Sequence, residues 1–374
     1  MVRGMALFGV MAINLLTEFR ESIFQQFLPQ ISESSAPDRL TDLLARYGLD
    51  MKAFSLFSFL FGVGLAIQYE RLSRSGPPMR WLLRRLAVLL GFGLIHLLFI
   101  WNGDILTEYA LAGFVVLPFL MAPQRVLGVA ACVGILIYVA MPYLSLPLPW
   151  YEPGWFRPHV AAADLAYGHG GFMAVHRFSF REVADLVPLH VSVFPRTIGL
   201  FLLGAFTWRW GLFKDPFAHR RAVAVIAVSA TLAGGFLTYA DQANLASVFG
   251  RPRLGVSISH AAPAILALGY CGIIVWLVEF TPLRGVLRAF APLGRMAFTN
   301  YIAESLIFGM LFFGYGVGLY GRIGPAATLA IGTGTYALQM AASTWWLRHY
   351  RFGPLEWLWR TLMYGKRQPM ALVQ

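Results

Sequence analysis

The run LAVLLGFGLIHLLFI, from Leu86 to Ile100, decides the fold class of this chain. It contains one polar residue, His96, and it does not alternate between polar and apolar positions as a strand of a membrane barrel would. In lipid, only helices and closed barrels satisfy all the backbone hydrogen-bonding groups. The run therefore predicts a membrane helix, and comparable runs recur along the chain.

A helix needs about 20 apolar residues to cross the ~30 Å hydrocarbon core of a bilayer. About ten segments meet this requirement: 3–24, 52–71, 80–101, 104–122, 125–146, 188–210, 218–240, 257–280, 291–316 and 323–347. The sequence predicts an all-α fold in which residues 1–374 form one polytopic bundle of about ten transmembrane helices.

The composition excludes a set of water-soluble domains. The chain is 58% hydrophobic and 13% charged, whereas a soluble domain has about 25% charged residues. The net charge of +12 comes from basic residues that lie mostly at the ends of apolar segments, as contacts to anionic lipids do. We therefore expect lipids and not nucleic acid as partners, and no spacing of histidines or cysteines predicts a metal site.

The distribution of Lys and Arg predicts the orientation, because short cytoplasmic loops carry an excess of both. Nineteen of the 30 fall on one side of the predicted bundle, in the connections that follow the second, fourth, sixth and eighth segments and in both terminal regions. Both chain termini are predicted to be cytoplasmic.

Two further regions are predicted outside the spans. Residues 147–187 contain Trp150, Tyr151, Trp155 and Phe156 and are predicted as an outer aromatic loop, either a lid or an interfacial segment. Residues 351–374 are predicted as a cytoplasmic interfacial tail with a short helix, where tryptophans suit the membrane boundary.

Polar groups inside a membrane segment are costly, so each one is a candidate for function. His96 lies near the outer end of the third segment, and the Asn102-Gly103 turn precedes Asp104. The turn predicts a carboxylate near an imidazole, as proton transfer requires. Alternatively, Asp104 only caps a helix and His96 only bonds a neighbouring helix. Tyr109 is a further candidate, for substrate binding.

The ninth segment carries Asn300, Tyr301 and Glu304, which are predicted to bind substrate. Hydrogen bonding between helices is the alternative role for Asn300. Arg196, at the outer start of the sixth segment, is predicted either to neutralise Asp104 or Glu304 or to grip an anionic substrate. A snorkelling anchor is the alternative.

Arginines on the predicted cytoplasmic side are candidates for binding the phosphates of a nucleotide-like donor, since guanidinium groups bind phosphate in a bidentate way. They are Arg80, Arg84, Arg85 and Arg295. Lipid headgroups are the alternative ligand of this cluster.

Four stretches resemble the YeiB-like family of multi-pass bacterial membrane proteins, a family of unknown function. They are Arg3-Gly-Met-Ala-Leu-Phe-Gly-Val, the run Arg84-Arg85…His96…Gly103-Asp104-Ile-Leu…Tyr109-Ala, Gly294-Arg295-Met-Ala-Phe-Thr-Asn300-Tyr301, and Gly353-Pro-Leu-Glu-Trp-Leu-Trp-Arg. The resemblance covers nearly the whole chain. Two features depart from it: the segment before Arg3 is short, and Glu304 stands where the family pattern has an uncharged amide.

The resemblance implies a location in the bacterial inner membrane. The family is similar, more distantly, to transmembrane acyltransferases such as the lysosomal heparan glucosaminide acetyltransferase, which deliver an acyl group from cytoplasmic acyl-CoA to an acceptor across the membrane. An intramembrane histidine is implicated there, and only His96 matches it. The resemblance implies acyl-CoA as donor and an unidentified hydroxyl or amine as acceptor.

Two other functions remain open from the sequence. A proton-coupled transporter or exporter of a small amphiphile would use His96, Asp104 and Glu304 as a proton relay. A non-catalytic membrane subunit would use the same residues to hold helices together. A homodimer is one assembly that the sequence allows.

Overall fold

The fold is all-α across the residues described by the computed structural model, which are 1–29, 35–144 and 151–372. Its α-helices are α1 (Val2–Asn14), α2 (Ala36–Leu44), α3 (Lys52–Ser73), α4 (Pro78–Phe99), α5 (Leu106–Val116), α6 (Gln124–Ala140), α7 (Pro153–His169), α8 (Phe172–Trp210), α9 (Arg220–Gln242), α10 (Leu245–Val248), α11 (Pro252–Phe280), α12 (Arg284–Leu287), α13 (Ala291–Arg295), α14 (Ala297–Phe312), α15 (Pro325–His349) and α16 (Pro354–Tyr364). Within these ranges, β-type pairing is limited to one antiparallel bridge between Tyr350 and Ala371.

Seven helical stretches among the described residues are long and apolar enough to cross a membrane. They are Val2–Phe19, Ala36–Ser73, Pro78–Phe99, Gln124–Tyr143, Phe172–Trp210, Arg220–Gln242 and Pro252–Phe280. Leu106–Met121 and Ala297–Phe312 are shorter apolar helices. The chain is a helical membrane protein, and the number of about ten spans stays a prediction.

The bundle has two ends, which differ in charge. We name the Arg74 end after the α3–α4 turn at residues 74–77, and the Trp101 end after residues 101–105, which join α4 to α5. At the Arg74 end Lys214 pairs with Glu70 at 2.7 Å, and Arg209 donates hydrogen bonds to the backbone carbonyls of Leu120 and Ala122. The basic connections that the sequence places on one side therefore meet at one end of the fold.

The aromatic region before the sixth predicted segment is mostly helical, which corrects the prediction of a loop over residues 147–187. It contains α7, and α8 begins at Phe172 rather than at residue 188. One charged pair of this region lies inside the protein: His159 Nε2 is 2.8 Å from Oε1 of the buried Glu182. Trp150 lies outside the described residues, and the rings of Tyr151 and Trp155 stack at 3.8 Å.

The ninth predicted segment is not one helix, because the backbone breaks at Met296 between α13 and α14. The first N–H groups of α14 need acceptors outside the helix. The Glu356 carboxylate of α16 supplies one, and it accepts hydrogen bonds from Phe298 N at 2.8 Å and Thr299 N at 3.1 Å. The predicted tail helix is thus fixed to the start of α14.

Glycines set the closest helix–helix approach, between α3 and α8. A Cβ added at Gly62 would overlap the backbone of Phe201, and one added at Gly204 would overlap the backbone of Phe59. Small residues at such crossings let two membrane helices pack backbone to backbone. The contact fixes α8 against α3, and α3 in turn packs on α1 and α4 near the cavity described below.

Replacing Gly62 by Ala should destabilise the protein by about 1–3 kcal/mol, because an added methyl group has to push two backbones apart. Gly64→Ala is the matched control two residues away, since no atom lies within 4 Å of a Cβ there. It should leave the Tm unchanged or raise it slightly through better helix propensity. Thermal unfolding in detergent measures both, and equal Tm values for the two variants would contradict the close crossing.

Candidate functional site

The turn between α4 and α5 brings His96 and Asp104 together. His96 Nδ1 lies 2.8 Å from Asp104 Oδ1. The same carboxylate accepts hydrogen bonds from Leu106 N at 3.1 Å and Thr107 N at 2.7 Å, so it also caps α5. The Asp104 carboxylate therefore both contacts the imidazole and caps α5, which the sequence left as alternatives.

Ser305 of α14 completes a row of three polar groups. Its Oγ lies 2.9 Å from His96 Nε2. A carboxylate facing Nδ1 favours the tautomer with its proton on Nδ1, in which Nε2 can accept from the Ser305 hydroxyl. The same hydroxyl is also in position to donate to the Tyr301 carbonyl oxygen at 3.2 Å, so its one proton serves one of two acceptors at a time. All three side chains are buried, with 0%, 1% and 4% of His96, Asp104 and Ser305 exposed. This is the order of groups that activates a serine hydroxyl as a nucleophile.

Sequence reasoning gave Ser305 no role. It follows Glu304 directly and lies one helical turn after Tyr301, whose carbonyl it approaches at 3.2 Å. The one signal for it was its position on the same helical face as Tyr301. Its pairing with His96 depends on how α14 packs against α4.

Tyr301 connects the site to the turn. Its hydroxyl accepts a hydrogen bond from Ile105 N at 3.3 Å and lies 3.4 Å from the carbonyl oxygen of Gly103. The centre of its ring is 5.2 Å from that of His96. The Tyr301 hydroxyl is therefore bonded to the two residues that flank Asp104 in the chain.

The turn is tightly packed at Gly103, where a larger residue would have to displace neighbouring side chains. A Cβ there would overlap the Glu18 carboxylate and the ring of Trp101. Trp101 in turn stacks on Phe19 at 4.5 Å and meets the His96 ring edge-on at 6.0 Å. The predicted Asn102-Gly103 turn signal thus reflects close packing as well as a change of chain direction.

A narrow, mostly apolar cavity of about 30 Å³, room for about one water molecule, lies beside the site. Ile105 and Tyr301 line it next to Asp104, and Arg3 and Trp359 line it towards the Arg74 end. Tyr301 belongs both to the cavity wall and to the surroundings of His96. Tyr301 is therefore a side chain that contacts both the cavity and the polar row.

Arg196 and Tyr109 lie apart from the polar row. Arg196 approaches the Met51 sulfur at 3.7 Å and the Tyr138 ring at 5.6 Å, and the structure shows no pairing with Asp104 or Glu304. The Tyr109 hydroxyl lies 2.7 Å from Ser58 Oγ, while its ring lines the cavity. The predicted neutralisation of Asp104 by Arg196 is wrong, because the residue faces α3 and α6.

Asn300 and Glu304 do not reach His96 either. Asn300 Nδ2 donates to Ser343 Oγ of α15 at 3.0 Å, and Gln339 donates to the Asn300 carbonyl at 3.1 Å. Asn300 therefore has the interhelical role given above as the alternative. Glu304 is buried, and its Oε1 has no hydrogen-bond partner among the described residues.

The comparisons with known proteins point to one family. The profile of the family described as "Protein of unknown function (DUF418)" matches residues 207–366. The chain is 32% identical to the uncharacterized protein YxaH of Bacillus subtilis (strain 168), over 99% of this chain and 94% of that protein. It is 26% identical to the uncharacterized protein YeiB of Escherichia coli (strain K12), over 96% of this chain and 94% of that protein.

The chain belongs to the YeiB-like family of unknown function. The resemblance seen in the sequence is confirmed. A further relative, the uncharacterized 39.9 kDa protein in the amylase 3' region of Bacillus acidopullulyticus, is 27% identical over 99% of this chain and 94% of that protein. No solved structure matches the chain.

The four predicted phosphate-binding arginines of this YeiB-like protein are not gathered at one place. Arg80 stacks on Trp81 at 5.7 Å, and Arg295 donates to the carbonyl of Arg351 at 3.3 Å. Arg84 and Arg295 are exposed. Arg85 alone faces inward, so the predicted set divides into three surface residues and one that turns towards the bundle.

A second polar network lies beside the turn at the Trp101 end, and sequence reasoning missed it. Asn102 Nδ2 and the Tyr167 hydroxyl both donate to Glu182 Oε2, at 2.8 and 2.6 Å. Tyr151 donates to Asp185 at 2.8 Å, and burial together with this bond raises the pKa of Tyr151 to about 12. Among the described residues, no group of three or more His, Cys, Asp and Glu side chains is arranged to hold a metal ion.

Asp104→Ala should lower the free energy of unfolding by about 2–4 kcal/mol, because three buried donors lose their acceptor. Asp215→Ala is the control, since Asp215 accepts a hydrogen bond from Ala218 N at 3.0 Å at an exposed position. Its loss should cost about 1 kcal/mol or less. Unfolding in detergent, followed by tryptophan fluorescence, compares the two, and equal losses would show that Asp104 acts as a helix cap alone.

Proposed function

We propose that this YeiB-like protein is a membrane-embedded acyltransferase. It takes an acyl group from acyl-CoA at the Arg74 end and delivers it to a hydroxyl or amine of an acceptor at the Trp101 end. In the same proposal the protein lies in the bacterial inner membrane with the Arg74 end and both termini in the cytoplasm, as the basic connections at that end favour.

The observation that carries the proposal is the buried row Asp104–His96–Ser305 beside the apolar cavity. The distance of 2.9 Å between His96 Nε2 and Ser305 Oγ suits a general base and its nucleophile, and the 2.8 Å distance to Asp104 suits a carboxylate that orients the base. The cavity is lined mostly by hydrophobic residues and has room for little more than one water molecule, so the arm of a thioester donor has to widen it. Ile105 and Tyr301, at the end of the cavity away from the arginines, lie next to the row.

In the first step, the Ser305 Oγ–H bond breaks, and its proton moves to His96 Nε2. Oγ attacks the thioester carbonyl carbon, the carbon–sulfur bond breaks, and the sulfur leaves as the CoA thiol with the proton from His96. Asp104 stabilises the imidazolium between these transfers. The product is an oxygen ester on Ser305, and no oxidant or reductant is needed.

In the second step, the acceptor hydroxyl or amine gives its proton to His96 and attacks the ester carbonyl carbon. The bond to Ser305 Oγ breaks, and Oγ recovers the proton from His96. The Tyr301 ring has to move aside for a donor in the cavity to reach Oγ, because the ring contacts both the cavity and His96. Asn300, which is bonded to α15, takes no part.

The experiment exposes the detergent-solubilised protein to acetyl-CoA or a long-chain acyl-CoA, each with a radiolabelled acyl group, and then denatures it. The parent protein should retain the label as an ester that alkaline hydroxylamine removes. Ser305→Ala and His96→Ala should lower labelling by about 100-fold or more, since they remove the nucleophile and its base. Ser305→Cys should give a thioester, which neutral hydroxylamine cleaves.

The control is Ser257→Ala, a buried serine of α11 whose hydroxyl donates to the Val139 carbonyl at 2.7 Å. It should label like the parent. Label retained on Ser305→Ala, or none on the parent with either donor, would overturn the covalent step.

A second candidate function is proton-coupled transport. It is favoured by three imidazole–carboxylate contacts at the Trp101 end: His96–Asp104 at 2.8 Å, His159–Glu182 at 2.8 Å and His190–Glu108 at 3.0 Å. Groups of this kind form proton relays in transporters.

In proteoliposomes with an imposed pH gradient, transport predicts proton flux that needs no acyl-CoA. Glu182→Gln should reduce that flux several-fold, because an amide cannot carry the proton. The acyltransferase proposal predicts no such flux. It also predicts that Glu182→Gln leaves acyl labelling of Ser305 in place. Flux in the parent without labelling would favour the transporter.

A further inference from the structure

Arg85 has an unusual position for an arginine of a membrane helix. Its Nε is buried and has no hydrogen-bond partner among the residues that the structure describes. Its guanidinium lies 4.0 Å from the ring centre of Trp359, and the Trp359 indole N–H donates to the Arg85 carbonyl at 3.0 Å. The side chain is therefore held in place by stacking, while its hydrogen-bonding capacity remains available.

Two more arginines from other helices approach this position. Arg3 of α1 lines the cavity together with Trp359, the ring on which Arg85 stacks, and Arg360 follows Trp359 in α16. Each stacks on a ring, Arg3 on Phe57 at 5.5 Å and Arg360 on Phe352 at 4.4 Å. Three guanidinium groups from three helices thus converge, and stacking leaves their N–H edges free to donate.

No carboxylate in the described part of the chain forms an ion pair with Arg3, Arg85 or Arg360. Glu356 attracts Arg3 and Arg360 from a distance. Its oxygens are already occupied by two N–H groups of α14 and by the Thr299 hydroxyl at 2.6 Å. The convergent positive charge therefore has no carboxylate bound to it within the described residues, and the side chains are accessible to an anion from outside.

The site is at the mouth of the cavity. Arg3 and Trp359 line the cavity at this end, and Tyr301 and Ile105 line it beside the polar row. We propose that Arg3, Arg85 and Arg360, with Trp359 as a platform, bind a phosphate-bearing ligand whose apolar part enters the cavity.

The chemistry of the three side chains points to phosphate. Guanidinium groups donate pairs of parallel hydrogen bonds to phosphate oxygens, and several of them together match a group with more than one negative charge. If the proposed function holds, the phosphates belong to the CoA part of the donor, and the cavity receives the acyl-bearing arm. The phosphate of an anionic lipid headgroup is the other source of the same chemistry.

The test uses the delipidated full-length protein in detergent. Calorimetry measures its binding of CoA, of inorganic pyrophosphate and of pantetheine, which lacks phosphate. We expect CoA to bind, pyrophosphate to compete with it, and pantetheine to bind about tenfold or more weakly. Arg85→Gln and Arg360→Gln should each weaken CoA binding by about tenfold or more. Arg85→Lys should recover part of the loss, because it restores the charge without the planar fork.

Arg125→Gln is the control, since Arg125 is an exposed arginine at the same end of the bundle, at the start of α6. It should bind CoA like the parent. A second arm records retention of phosphatidylglycerol against phosphatidylcholine by native mass spectrometry. Loss of phosphatidylglycerol retention in Arg85→Gln, with no CoA binding by the parent, would assign the site to a lipid phosphate.

The proposal is overturned if Arg85→Gln, folded as shown by its Tm, binds CoA and phosphatidylglycerol as the parent does, or if the parent binds neither. Acyl labelling of Ser305 separates this failure from failure of the proposed function. If Ser305 is labelled but CoA binding does not depend on Arg85, the acyltransferase proposal stands and the phosphate site is rejected. If CoA binding depends on Arg85 but Ser305 is not labelled, the phosphate site stands and the acyltransferase proposal is rejected.

Discussion

A carboxylate buried in an apolar bundle has to be surrounded by hydrogen-bond donors, and the Trp101 end is organised around this requirement. Asp104 is 1% exposed and accepts from an imidazole and two backbone N–H groups. Without them, its desolvation would cost several kcal/mol, about what a single buried ion costs after relaxation. The tautomer of His96, the start of α5 and the alignment of Ser305 all depend on this one anion.

The sequence predicts the parts of this arrangement that are local in the chain. Uninterrupted apolar runs establish the fold class, because lipid leaves the backbone few other conformations. His96 and Asp104 are eight residues apart across an Asn-Gly turn, so their proximity follows from the reach of a tight turn. The grouping of basic connections at one end also follows from composition alone.

Features that depend on helix packing are not predictable in this way. Ser305 is 209 positions from His96 in the chain, and no spacing rule selects it over Glu304. Asn300 and Arg196 are polar residues in apolar segments, as His96 is, yet they face other helices. Helix α7 and the first part of α8, before residue 188, were likewise not predicted, because the buried contact between His159 and Glu182 that joins them is a packing feature.

The Tyr301 hydroxyl is bonded to residues on both sides of Asp104, and its ring also lines the cavity. Any displacement of this ring that joins the cavity to His96 therefore removes two restraints from the segment that carries Asp104. Opening the cavity towards the polar row and loosening the Asp104 turn are then one event. In the proposed acyl transfer, a thioester in the cavity would be kept from the polar row, and from water at the Trp101 end, for as long as the phenol keeps its bonds.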